Sequence, residues 1–184
     1  KMYLGGIFAA ATNLSQFNND ITVCTAIGKD KDLENKIKIF KKKFKTKIFV
    51  EKNKVTTRKK RFVDMGYNKK MSEVYFMDDN FLGKNNLKKI LSFLEKKTKD
   101  YDLVILLDYG HSFINSQIYN CLKKKSKFLA INCQTNSANL GFNLITKYNK
   151  ADYICIDEPE LRLATSNNKD DIEKVVSKNL FKKI

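Results

Sequence analysis

Hydrophobic positions divide the chain into continuous apolar runs and runs at helical spacing. The clearest continuous run is Leu103 to Gly110, L-V-I-L-L-D-Y-G. Five apolar residues without alternation, closed by turn chemistry, predict a strand buried on both faces, as in a parallel sheet covered by helices. Phe128 to Asn132 and Tyr153 to Ile156 predict two more such strands. Short β-branched runs at Ile21 to Thr25 and Thr46 to Val50 predict a further pair. Between them, Leu33, Ile37, Phe40 and Phe44 recur at helical spacing, as do Leu87, Ile90, Leu91 and Leu94. Helices are also expected from the Ala-rich block after Gly5-Gly6 through Leu14 and Phe17, and over Ile114 to Leu122, Gly141 to Tyr148, Glu158 to Ala164 and, more weakly, Asp170 to Ile184. Pro159 is tolerated in the first turn of its helix. Val55 to Asp64 and Ser72 to Met77 are less apolar. They predict half-exposed strands about a turn at Gly66-Tyr67-Asn68, in a small sheet projecting from the main one or at its edge.

Alternating strands and helices with continuous apolar strands make this an α/β chain with a mainly parallel sheet. In open sheets of that kind ligands bind at the carboxyl ends of the strands. Three predicted strands deliver polar groups there: Asp108, Asn132 and Asp157, with Gln134, Glu158 and Glu160 close behind. Two acidic strand ends in a very basic chain point to a site.

Composition changes this picture less than its charge suggests. The formal net charge is +16, but of 36 basic residues only Arg58, Arg61 and Arg162 are arginine, and the rest are lysine. Readers of phosphate and base edges lean on the arginine fork. Aromatics are not interleaved with the lysines in a stacking pattern, so no nucleic-acid partner is expected. The field does favour a small anionic substrate. Cys24, Cys121, Cys133 and Cys155 show no C-x-x-C or metal-like spacing. Cys24 and Cys155 fall in strand candidates, where a thiol packs as a small hydrophobe, which suggests a reducing cytoplasm. No apolar stretch approaches the roughly 20 residues that span a bilayer, so no membrane partner is expected. With 184 residues, 42% of them apolar, and no linker rich in Pro, Gly or Ser, one domain is expected. The first residue is Lys, not Met, and the chain reads as a segment of something longer.

Taken in order, G-G-I-F-A-A-A-T-N-L, then I-T-V-C-T-A-I-G-K-D, then a Thr-rich basic strand over Thr56 to Asp64, then Asp108-Tyr109 and Asp157-Glu158-Pro159-Glu160, resemble the ribokinase-like (PfkB) carbohydrate kinases. The nearest branch is the heptose-7-phosphate kinase half of bifunctional ADP-heptose synthases. The resemblance covers residues 5 to 164 and rests on order and spacing. It implies a ribokinase-like fold, with a Rossmann-like sheet flanked by helices and a lid or edge element at about residues 46–78. Residues 1–184 would then be one partial kinase domain without its first strand and its C-terminal nucleotide-binding part. The implied activity is transfer of the γ-phosphoryl of ATP, with Mg²⁺, to a hydroxyl of a sugar or sugar phosphate, in ADP-heptose or related nucleotide-sugar synthesis.

By the same resemblance Gly5, Gly6, Asn13, Lys59, Arg61, Asp108 and Asn132 bind substrate, Asp157 and Glu160 organise metal and phosphate, and the lid strands form a homodimer. Departures accompany these matches. Ala9 stands where the family carries a sugar-contacting Asn, Asp157 replaces the Asn of Asn-x-x-Glu, and C-Q-T-N-S-A-N after Asn132 differs from the Asp-Pro-Lys type. The G-A-G-D element that supplies the catalytic base is absent, so no catalytic residue is assigned in the segment. The alternative is a catalytically silent sugar- or nucleotide-binding domain fused to a nucleotidyltransferase. His111, the only histidine, is expected to be a hydrogen-bonding loop residue rather than a general base.

Overall fold

The computed structural model describes residues 1–78 and 82–181, and the chain divides into two compact units, Lys1–Asn86 and Leu87–Ile184. In the first, α1 (Ile7–Leu14) precedes β1 (Thr22–Gly28), and α2 (Lys31–Lys43) connects β1 to a parallel β2 (Lys45–Glu51). α2 begins where Asp30 accepts from the Asp32 N–H at 3.1 Å, and it ends on Lys41, Lys42 and Lys43, whose charges complement the helix dipole. The helical spacing read from the sequence puts Leu33, Ile37, Phe40 and Phe44 in one core with Phe8, Ala11 and Val23. The rings of Phe8 and Phe40 meet edge-on at 4.9 Å, and those of Phe40 and Phe44 stack at 4.4 Å.

The half-exposed strands form a separate two-stranded antiparallel hairpin, β3 (Arg58–Asp64) and β4 (Lys69–Phe76), with a register shift between Phe62 and Val63. Phe62, Val63, Val74 and Phe76 remain 41 to 47% exposed, so neither face of the hairpin is sealed.

The second unit carries a three-stranded parallel sheet in the order β5 (Val104–Asp108), β6 (Leu129–Cys133), β7 (Tyr153–Ile154). α3 (Lys84–Lys97) leads towards β5, and α4 (Ser116–Lys125), capped by Asn115 on the Ile118 N–H at 2.9 Å, crosses from β5 to β6. α5 (Glu158–Thr165) and α6 (Ile172–Val175) follow β7, and a π-type turn (Val176–Leu180) closes the described chain. Leu106, Ile118, Leu129, Ile131, Ile145 and Val175 are each 3% exposed or less.

Several expectations are corrected. Gly141 to Tyr148 is not a helix; only Ile145–Lys147 makes a 3₁₀ turn. Gly141 lies at φ 79, and the Asn136 and Asn143 amides hydrogen-bond backbone carbonyls, so local side-chain bonds replace the helical ladder. α1 stops at Leu14, which leaves Phe17 88% exposed instead of packed. β7 is two residues long and Cys155 is exposed, not packed as a small hydrophobe. β5 is an edge strand of its sheet, and Ile105 keeps 40% exposure on a strand expected to be covered on both faces.

Candidate functional site

Three parallel strands bring their carboxyl ends to one edge, so the chain reversals after β5, β6 and β7 lie side by side. Two buried carboxylates organise this edge. Asp108, the last residue of β5, is 3% exposed. Its Oδ1 accepts from the Gly110 N–H at 2.9 Å. Its Oδ2 accepts from the Tyr148 hydroxyl at 2.6 Å and the Cys133 thiol at 3.7 Å, and it pairs with the Lys147 ammonium. Burial, and next the Asp108 charge, push both the Tyr148 hydroxyl and the Cys133 thiol upward, the thiol to about 12, so both stay protonated donors.

Glu160 is 7% exposed and ties the other two reversals together. One oxygen accepts from the Thr135 N–H beyond β6 at 2.8 Å, the other from the Asp157 N–H beyond β7 at 3.0 Å. Asp157 returns the bond by accepting from the Glu160 N–H at 2.8 Å, which completes a capping box at the start of α5. Asn132 donates to the Cys155 carbonyl at 2.7 Å and bridges β6 to the chain leaving β7.

Asparagines pin the long segment after β6 to the end of β5. Asn136 and Asn139 donate to the Tyr109 carbonyl at 3.0 and 3.3 Å, and Asn143 donates to the Asp108 and Gln134 carbonyls at 3.3 and 3.1 Å. Gly110, at φ 69, permits this approach, since a Cβ there would fall 1.8 Å from Asn139 Nδ2. Leu140 and Phe142 at the tip are 63 and 91% exposed. His111 is half-buried in the reversal after β5.

The structure therefore groups Asp108, Asn132, Asp157 and Glu160 at one edge. It also shows what their polar atoms do. The Asp108 carboxylate, expected to touch substrate, is filled by internal donors. Glu160, expected to organise Mg²⁺, has both oxygens accepting backbone N–H groups. Among the described residues no cluster of three or more His, Cys, Asp or Glu side chains could hold a metal ion. These carboxylates do not fit direct ligation of Mg²⁺, which needs a nearly complete octahedron of oxygens.

The remaining candidates belong to the first unit. Gly5 and Gly6 are exposed ahead of α1. Gly6 takes φ 54, ψ −129 without a side-chain cap, and a Cβ on Gly5 would meet nothing within 4 Å, so packing does not demand glycine there. Asn13 and Ala9 are exposed on α1. On the hairpin, Lys59 and Arg61 face Tyr75 and Glu73 across the strands. The Lys59 ammonium lies 4.8 Å from the centre of the Tyr75 ring. Its pKa is lowered, first by burial and then by the Arg61 and Lys70 cations, with Glu73 opposing. Arg61 pairs with Glu73, which also accepts from the Tyr75 hydroxyl at 2.6 Å. Sequence reasoning missed Thr135, Asn143, Lys147 and Tyr148. For Thr135 and Asn143 the only signal was the asparagine-rich run from Cys133 to Asn143, which has no periodicity, and Lys147 and Tyr148 fell in the stretch read as a helix.

No family model matches the chain. Over 118 residues, 62% of its length, it is 30% identical to the Bifunctional protein HldE of Aliarcobacter butzleri (strain RM4018), of which the match spans 24%. A ribokinase structure from Giardia lamblia superposes with a TM-score of 0.61 at 16% identity, covering 84% of this chain and 47% of that one. A candidate sugar kinase from Clostridium perfringens superposes with a TM-score of 0.67 at 14% identity, covering 96% and 54%. The chain has the ribokinase-like fold. This ribokinase-like chain spans about a quarter of its curated relative and about half of each solved structure. The expected parallel strands and flanking helices are present, in two sheets rather than one; of the edge element expected at about 46–78, residues 58–76 form a hairpin in a sheet of its own, whereas residues 46–51 pair in parallel with β1. Among the described residues no helix is long and apolar enough to cross a membrane.

Proposed function

We propose that this chain is the substrate-side portion of an ATP-dependent carbohydrate kinase acting on a sugar or sugar phosphate in ADP-heptose or related nucleotide-sugar synthesis. The observation that carries the reading is the similarity to HldE along most of a chain with the ribokinase-like fold. Gly5 and Gly6 offer an exposed helix start to sugar hydroxyls, Asn13 an exposed amide in the last turn of that helix, Lys59 and Arg61 offer cations to a sugar phosphate, and Asn132 contributes at the sheet edge. Asp108, Asp157 and Glu160 hold the strand-end reversals in place. Mg²⁺ enters with the phosphates of ATP, as is usual for that ion. The protein works in the cytoplasm, and the hairpin, with its uncovered apolar residues, joins two copies.

A silent binding domain attached to a nucleotidyltransferase is the second reading. Ala9, exposed on α1 where the resemblance calls for a sugar-contacting Asn, favours it. The purified protein containing these residues is to be assayed for ADP release from ATP against sugars and sugar phosphates, heptose 7-phosphate included. Sugar-dependent release is expected. Calorimetric binding of a sugar without release would favour the silent domain, and neither would sink both readings. A third outcome, binding of mixed-sequence DNA that weakens steeply with salt, would mean that the lysine charge serves a polyanion after all.

A further inference from the structure

A carboxylate as buried as Asp108 costs desolvation that an apolar residue would avoid, so its retention calls for a role. Apart from the Cys133 thiol at the end of β6, the polar partners of its side chain among the described residues lie in the two chain reversals that flank the β5 end. Gly110 belongs to the first; Lys147 and Tyr148 end the segment that leaves β6. Lys147 also donates to the Asn143 side-chain oxygen, and Asn143 bonds the carbonyls of Asp108 and Gln134. Tyr148 is held from behind by Tyr119, ring to ring at 4.8 Å, and the Tyr119 hydroxyl fixes residues 149 and 150 by accepting their N–H groups at 3.0 and 2.9 Å. The segment from Gln134 to Tyr148 is thus clamped at its far end by one charge. It is supported along its length by asparagine amides, and its only helical turn is the 3₁₀ turn at Ile145–Lys147.

We infer that Asp108 is a positioning residue: through Lys147 and Tyr148 it holds residues 134–148 against the β5 end, and the substrate edge is formed by that segment rather than by the Asp108 carboxylate. This deepens the kinase reading and rests on it only for what occupies the edge.

Amide hydrogen exchange on the Asp108→Asn and Tyr148→Phe variants tests the clamp without any substrate, so it stands apart from the fate of the kinase reading. Exchange at Gln134, Asn139 and Phe142 is expected to quicken by about ten-fold or more, given the usual strength of hydrogen bonds to charged groups. The β5–β6 ladder amides of Leu106 and Ile131 should hold their rates. Lys147→Met should loosen the same segment, and Lys147→Arg, which keeps the cation, should restore it. These two also carry the test should Asp108→Asn fail to fold. Equal loosening of segment and ladder, or unchanged protection throughout, overturns the inference. Where the protein turns over a sugar, Asp108→Asn should raise KM with kcat little changed; a fall in kcat at constant KM would place the carboxylate at the reacting atoms and overturn it as well.

Discussion

The β3–β4 hairpin and the β5–β6–β7 sheet differ in apolar content, six of fifteen residues against ten of twelve, and in how they use it. In the sheet, Leu106, Leu129 and Ile131 are sealed, and charge inside it is held by a full set of donors. In the hairpin, Phe62, Val74 and Phe76 stand nearly half exposed, and its charges pair across the strands at the surface. Two strands alone cannot bury a face. One element is therefore a scaffold whose polar groups are fixed, the other an arm whose side chains remain available to a ligand or a second copy.

The largest effect that could break this contrast comes from paired truncations. Ile131→Ala should cost about 3 kcal/mol in urea unfolding, as buried aliphatic truncations do. Phe62→Ala should cost about 0.5 kcal/mol or less, as at open surface positions. Similar losses would mean that the hairpin is packed after all.

Thiol chemistry should sharpen the same boundary more modestly. Burial pushes Cys24 and Cys133 from an ordinary value of 9.0 up to about 12, whereas Cys155 is exposed. Alkylation at pH 8 followed by peptide mapping should therefore label Cys155 well before either, because only a thiolate attacks. Since both shifts are upward, their contribution to stability is complete below pH 9.0 and is lost as pH rises towards about 12. Alkaline unfolding that begins well below that window would contradict the burial.

The smallest effect belongs to the hairpin. The Tyr75 hydroxyl first, and then Arg61, hold the Glu73 carboxyl below its ordinary 4.5. This contribution is present above that value and lost as pH falls through the lowered one. An NMR titration of the Glu73 side chain should show the depressed midpoint, and Tyr75→Phe should move it upward; a midpoint at the ordinary value would remove the surface cluster.

Much of the scaffold was legible before any coordinates. Leu33, Ile37, Phe40 and Phe44 carry a helical period that one buried helix face satisfies, and the apolar runs ending at Asp108 and Asn132 predict parallel strands, of which β6 is buried and β5 lies at the sheet edge. The carboxyl edge followed from those strands, because parallel strands necessarily end together. The segment from Gln134 to Tyr148 was not legible. Its fold depends on asparagine amides reaching carbonyls of residues about 27 to 35 positions away, and no local pattern records such a partner.

By itself, then, the sequence determined most element types outside residues 134–148, the shared edge, a half-exposed strand pair and the family it resembles, since these follow from periodicity, turn residues and motif order. Only the tertiary structure decided what the acidic groups do. Asp108 read as a strand-end carboxylate, and Glu160 as an acidic group just beyond another strand end. Donors surround each of them, Tyr148, Lys147 and Gly110 for one, the Thr135 and Asp157 amides for the other, and so bind each carboxylate to the chain around it. A carboxylate's role is set by which donors replace its water, and those donors arrive from distant parts of the chain.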